Sequence, residues 1–397
     1  MKNRLHQLRQ ILKNKQLDGL LITHDPNIHY LTGFPAKESW LLVGLKGVFY
    51  ITDFRYMLEA QKGVKGARVV QYTGSLTEKL FECVKAQKIK RLAFEENHVS
   101  FQLWRRLREE TPKGCTLLNT LNLVESLRER KEEEEIRRIK AALKVHEASF
   151  RYLKRIVRPG LTELEIVLKL EQFVKSRGVG FSFDPIVASG PNSCFPHAKV
   201  TQRRVRPNDV VLIDWGIDHF GYKSDLTRMF FLGRIPKLIQ TVNDTVVQAQ
   251  QKAIDFIRAD VPIAQVDYQA RNYLKGHKIF FDGRPFILTS EARKDLNRSF
   301  SPSGFRMSPS TRKTAKGLNY LEGHQLAKYF GHALGHGVGL EIHESPRISQ
   351  RNNDLLSEGM VITVEPAVYI PNKFGIRIED MVLVREKKAE VLSAHIY

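Results

Sequence analysis

One order of elements, helix, helix, strand, hairpin, runs twice through the C-terminal part of this chain, and it constrains the fold more than any other feature. In the first pass, KEEEE (131–135) opens a long helix whose acids suit a helix start and pair Glu133 with Arg137 and Glu134 with Arg138. Ile136, Ile139, Leu143, Phe150 and Leu153 give it an apolar face. Pro159-Gly160 stops that helix. Thr162 and Glu165 then fit a capping box, and Leu161 and Ile166 a hydrophobic staple, for a second helix reaching about Arg177. FDPIVAS (183–189) and a hairpin of DVVLIDWG (209–216) and YKSDLTRMFFLG (222–233) follow. The second pass has helices over about Val242–Ala259 and Ile263–Lys275, a strand-like segment (333–343) and a pair at 360–370 and 375–384.

The repeat also aligns acids. VVLID ends on Asp214 and VITVE ends on Glu365, while the return strands carry Asp225 and Glu379. The offsets of 11 and 14 residues differ by a longer second turn, and opposed residues of an antiparallel pair share a face. Four carboxylates are thereby expected to converge. Packed together they repel, and a buried cluster of that kind needs cationic compensation. GHALGHGVGLEIHESP (331–346) adds His332, His336 and His343. Oxygen-rich ligation with an imidazole suits Mn²⁺, Co²⁺, Fe²⁺ or Zn²⁺, and four carboxylates suffice for two ions. A two-metal site activates water and polarises a carbonyl, the requirements of amide hydrolysis.

Residues 1–124 read as a smaller α/β unit: a basic amphipathic helix to Asp18-Gly19, then the strand-like runs LLIT, WLLVGLKGVFYIT (40–52), ARVVQY (67–72) and RLAF (91–94), with turns at Asp25-Pro26 and Thr32–Pro35. His29, Asp53 and Arg55 read as turn or surface residues. Cys83, Cys115 and Cys194 lack paired metal or redox spacing, so structural thiols are expected. The N-terminus has no signal-peptide core and no run is long enough to span a bilayer, which points to a cytoplasmic protein without membrane contact. The net charge of +20 raises a nucleic-acid role, but no finger, helix-turn-helix or aromatic RNA-binding pattern accompanies it, and no such role is expected.

The segments DWGIDHFGYKSDLTR (214–228), GHALGHGVGLEIHESP (331–346), TVEPAVY (363–369) and GIRIED (375–380) resemble the pita-bread metallopeptidases, the family of prolidase, aminopeptidase P and methionine aminopeptidase. NIHYLTGF (27–34) and TDFRY (52–56) resemble the N-terminal domain that the Xaa-Pro enzymes carry. The resemblance implies a pita-bread (creatinase/aminopeptidase) catalytic domain, α/β (α+β) in class and internally duplicated, at 125–397 behind a creatinase/prolidase-like domain at 1–124. It implies two divalent ions, Mn²⁺ first among the candidates, held by Asp214, Asp225, His336, Glu365 and Glu379. It implies hydrolysis of X-Pro peptide bonds by a metal-bridging hydroxide, with Glu365 as proton shuttle. His197, His332 and His343 are placed on the substrate side, Arg377 orients carboxylates, and Tyr369 lines the site. Peptides with proline at the second position are the implied substrates and a homodimer the implied assembly.

The chain departs from the family at 278–322, where nine Lys/Arg and four Asp/Glu flank a Ser/Pro/Gly-rich middle. A surface insertion is the simple expectation and a cover over the active site the sharper one. Two other readings compete with the X-Pro peptidase: a hydrolase of the same fold acting on another small amide or ester, or with methionine-aminopeptidase-like specificity, and a non-catalytic binding protein associated with nucleic acid.

Overall fold

In the computed structural model, residues 2–279 and 324–396 are described, so the basic insertion at 278–322 lies almost wholly outside the described residues. The chain divides into two units, Met1–Glu133 with Gly339–Ser345, and Glu134–Val338 with Pro346–Tyr397.

The first unit is a six-stranded sheet with helices. In chain order it runs α1 (Lys2–Asn14), β1 (Gly19–Ile22), α2 (Asp25–Thr32), β2 (Trp40–Gly44), β3 (Val48–Thr52), α3 (Phe54–Gly63), β4 (Arg68–Gln71), α4 (Leu76–Gln87), β5 (Arg91–Glu95), α5 (Phe101–Glu110), β6 (Thr116–Thr120) and α6 (Glu125–Arg128). The sheet order is β4-β3-β2-β1-β5-β6, antiparallel along β3-β2-β1 and parallel at the flanks. Three local expectations change here. WLLVGLKGVFYIT is two strands rather than one, because the chain reverses at Leu45–Gly47 and Gly44 N–H donates to Gly47 O at 2.8 Å. Asp25-Pro26 opens a helix instead of a turn, since proline suits the first helical turn, where no N–H partner exists. The first helix stops at Asn14, and Gly19 already lies in β1. Asp53 caps α3 by accepting from Arg55 N at 2.8 Å, the structural role expected of it.

The second unit carries the duplication. Its first half has α7 (Glu133–Ile156), α8 (Glu163–Lys175), β7 (Gly180–Phe181), β8 (Ile186–Ser189), β9 (Val210–Trp215), β10 (Ile217–His219), β11 (Tyr222–Lys223) and β12 (Leu226–Phe231). The second half has α9 (Lys237–Phe256), α10 (Ile263–Lys275), β13 (Lys278–Ile279), β14 (His324–Gln325), β15 (Gly335–Gly337), β16 (Glu344–Ile348), β17 (Val361–Val364), β18 (Ala367–Ile370), β19 (Phe374–Arg377), β20 (Asp380–Leu383) and β21 (Glu390–Val391). The capping box at α8 forms, with Glu165 N–H donating to Thr162 Oγ1 at 3.0 Å and Thr162 N–H to Glu165 Oε2 at 2.6 Å.

Each half centres on three antiparallel strands, β8-β9-β12 and β15-β17-β20. In each, the outgoing and returning strands are separated by a small arm, the hairpin β10-β11 with β7 paired to it in one and the two-stranded β18-β19 in the other. The strand-like segment 333–343 reduces to Gly335–Gly337, and Gly335 lies so close to Thr363 O that a Cβ would sit 2.0 Å from it. Val246, Ala249, Ala253, Val266, Ala270, Ile362, Val364, Ile376 and Val382 share one buried core beneath the second half. Arg228 on β12 pairs with Asp380 on β20 at 2.7 Å, both buried, which ties the two halves together beside the acids.

Candidate metal centre

Strand ends position the acids. Asp214 is the penultimate residue of β9, Asp225 immediately precedes β12, Glu365 follows β17 and Glu379 precedes β20. The register differs from direct opposition of each pair. Asp214 faces Thr227, so Asp225 sits diagonally from it, whereas the second ladder ends at Val364 opposite Asp380, one step short of Glu365 and Glu379. The side chains still meet. Asp214, Asp225 and Glu379 bring one oxygen each within 4.8 Å of one another, and so do His336, Glu365 and Glu379 with one ligand atom each. Glu379 belongs to both groups.

His336 Nδ1 faces the Gly337 carbonyl at 3.1 Å, so Nδ1–H donates there and Nε2 is the ring atom turned to the acids. That nitrogen lies 3.5 Å from Glu365 Oε1 and 3.6 Å from Asp225 Oδ2. A neutral imidazole in this tautomer offers Nε2 to a cation lying among the acids.

One guanidinium serves the cluster from behind. Arg377 Nη2 donates to Asp214 Oδ2 at 2.6 Å, Nε to Thr227 Oγ1 at 3.0 Å, and Nη1 to Tyr369 Oη at 2.5 Å and Pro196 O at 3.0 Å. Since Thr227 Oγ1 accepts from Arg377, its proton goes to Glu379 Oε2 at 2.8 Å. Burial works against the Arg377 charge, but Tyr369, Asp214, Glu365 and Glu379 hold it firmly protonated. A single arginine does not balance four acids. Burial, then the neighbouring acids, pushes Asp225 and Glu379 well above the carboxylate range, and burial pushes Glu365 up to about 8. Asp214 is also raised by burial, with Arg377 opposing.

His332 sits to one side of these groups. Nδ1 donates to Ala333 O at 2.8 Å, Nε2 lies 3.3 Å from Tyr369 Oη, and burial brings its pKa down to about 4. It is therefore neutral near pH 7. His197 is exposed on the segment after β8, near enough for its charge to act on Asp214 and His332. His343 lies on the Gly339–Ser345 excursion, which belongs to the first unit.

Residues 137–386 match metallopeptidase family M24. The chain belongs to this family. Residues 4–130 match the creatinase/prolidase N-terminal domain, so this metallopeptidase carries both modules. An uncharacterized peptidase of Bacillus subtilis is 30% identical over 96% of this chain and 95% of its own length. The solved structure of an Xaa-Pro dipeptidase from Bacillus anthracis superposes with a TM-score of 0.84 at 29% identity, covering 99% of this chain and 97% of the other. That of an X-Pro aminopeptidase from Thermotoga maritima gives 0.78 at 31% identity, with 95% and 96% covered.

The family implies divalent metal ions, and the residues present fit them. Asp214 Oδ1 is buried without a hydrogen-bond partner, His336 Nε2 faces Glu365 and Asp225, and the four acids outnumber the Arg377 guanidinium that serves them. Thr227 was not legible as part of this site, because an isolated threonine within a strand carries no motif. Its position opposite Asp214 is the signal that places it.

Proposed function

We propose that the protein is a dinuclear metallopeptidase cleaving X-Pro bonds, with two divalent ions, Mn²⁺ first among them, held by Asp214, Asp225, His336, Glu365 and Glu379. The observation that carries this reading is the buried cluster in which Glu379 belongs to both groups of ligand atoms and Asp214 Oδ1 lacks a protein partner. Two divalent ions bound there supply Lewis acidity toward the scissile carbonyl and a lowered pKa for water. Glu365 accepts the proton of the attacking water and returns it to the departing proline nitrogen. Arg377 fixes Asp214 and, through Thr227, Glu379. His343 donates to the carbonyl oxygen as negative charge develops there, while His197 and His332 line the substrate side. His332 acts there as a neutral imidazole. Proline brings no N–H, so binding relies on an apolar slot and on donors from the protein. Further parts of the proposal are a homodimer and a cytoplasmic location suited to the free thiols Cys83, Cys115 and Cys194. No helix among the described residues is long and apolar enough to cross a membrane.

The test is hydrolysis of Ala-Pro, Ala-Pro-Pro and Met-Ala by metal-stripped protein refilled with Mn²⁺, Co²⁺ or Zn²⁺. Metal-dependent cleavage of the proline peptides is expected. Activity surviving complete metal removal overturns the mechanism, and preference for Met-Ala overturns the specificity. Glu379→Ala and His336→Ala should each lose turnover, and full activity in either refutes the ligand set.

A further inference from the structure

Glu163 is fully buried at the first position of α8, and its carboxylate closes a long irregular segment of the second unit. Oε1 accepts from Ser189 N at 2.7 Å, Ser189 Oγ at 2.8 Å and Asn192 Nδ2 at 3.0 Å. Oε2 accepts from Thr201 N at 3.0 Å, Thr201 Oγ1 at 2.6 Å and Asn192 Nδ2 at 3.3 Å. One oxygen thus holds the entry of the segment at Ser189 and the other its exit at Thr201. Between these points lie a short 3₁₀ turn (Gly190–Cys194), the exposed Phe195, Pro196 and His197. The middle rests on β19: Ser193 Oγ accepts from Gly375 N at 2.8 Å, and Pro196 O accepts from the same Arg377 that holds Asp214. Gly375 has no room for a side chain there, with Ser193 O only 2.0 Å from where a Cβ would lie.

Irregular backbone without a ladder keeps its shape only where side chains satisfy it. A carboxylate accepting at both oxygens does this with one residue, and its acceptor-only chemistry is what the site demands, since every group facing it donates. We propose that Glu163 is a positioning residue for His197, setting where the imidazole stands beside Asp214 and the substrate. This rests on the substrate-side role given to His197 above.

The test is a double-mutant cycle in the metal-loaded full chain, with kcat and KM measured on Ala-Pro for wild type, Glu163→Gln, His197→Ala and the double variant, alongside metal content and melting temperature. Glutamine keeps the shape but turns an NH₂ toward backbone or hydroxyl donors at one end of the segment. Glu163→Gln should lower kcat/KM on the order of tenfold or more, the scale of effect that misplacing a reacting group produces, while two ions per chain are retained. In the His197→Ala background the same change should cost less than about twofold. Losses that multiply in the double variant overturn the positioning role while leaving His197 intact as a substrate-side group. Full activity in His197→Ala overturns the role of His197 and this proposal with it. If Glu163→Gln fails to fold, Thr201→Val leaves the carboxylate in place and removes the 2.6 Å hydroxyl bond to it, together with the bonds that Thr201 Oγ1 accepts from Arg203 N at 3.1 Å and Asn192 Nδ2 at 3.3 Å. A smaller loss that again vanishes without His197 supports the role, and one that persists without His197 overturns it.

Discussion

Two irregular segments carry histidines assigned to the substrate side, and they are fastened by opposite chemistry. The His197 segment, within the second unit, is closed by a buried anion whose partners are amides and hydroxyls. The excursion bearing His343, within the first unit, is held by two buried cations, Arg128 and Lys131, and by the half-buried His24, all of which reach its own acids. Arg128 Nη2 lies 2.8 Å from Glu341 and 2.5 Å from Glu344, Lys131 Nζ is 2.7 Å from Glu344, and His24 Nε2 is 3.0 Å from Glu341. Gly339 begins the excursion because Glu344 folds back over it, leaving only 2.3 Å for a Cβ. The difference lies in what is left behind when an anchor is lost. Removing Glu163 strands neutral donors, and removing Arg128 strands charges.

That contrast orders the consequences. Arg128→Met should cost the most, about 3–5 kcal/mol of stability, because Glu341 and Glu344 lose a cation whose side chain is only 3% exposed. Denaturant unfolding that separates the first unit's transition from the second's is the measurement. A loss under about 1 kcal/mol would mean that Lys131 and His24 hold the excursion alone, which would erase the distinction from the His197 segment.

The two anchors are equally hidden in the sequence, and neither is as legible as the proposed ligands. Asp214 and Glu365 end apolar strands in a repeated pattern, so periodicity alone found them and the fold resemblance only named their roles. Thr162 and Glu165 were legible because a capping box is local, three residues apart. Glu163, between them, reads as one more acid at a helix start. Its partners lie 26 to 38 residues away, and a single long-range hydrogen-bonding carboxylate leaves no period to detect. Arg128 pairs across more than 200 residues and was equally silent. The β2–β3 reversal, by contrast, is marked by Lys46-Gly47, but the apolar runs on either side of it read as one continuous strand.

Acid should release the excursion gradually. Burial pushes Glu341 up, but His24 and Arg128 outweigh it and bring its pKa down to about 2. The folded value lies below the ordinary glutamate value of about 4.5, so the stabilisation is present above about pH 4.5 and is lost as pH falls toward 2. Melting of the first unit should therefore drop through this window, and Glu341→Gln should flatten the drop while lowering stability at neutral pH. An unchanged acid profile in Glu341→Gln would remove this carboxylate from the account.

The smallest effect separates two neighbours at the start of α8. Thr162→Ala deletes the hydroxyl that accepts from Glu165 N, and an N-cap of this kind contributes about 1 kcal/mol. The reciprocal bond from Thr162 N to Glu165 Oε2 survives, as do all six bonds at Glu163. The expected result is a lower denaturant midpoint with kcat on Ala-Pro unchanged, the converse of Glu163→Gln one residue later. If Thr162→Ala lowered kcat as Glu163→Gln is expected to, the His197 segment would be responding to general loosening of the helix start, and the specific clasp by Glu163 would not be what holds it.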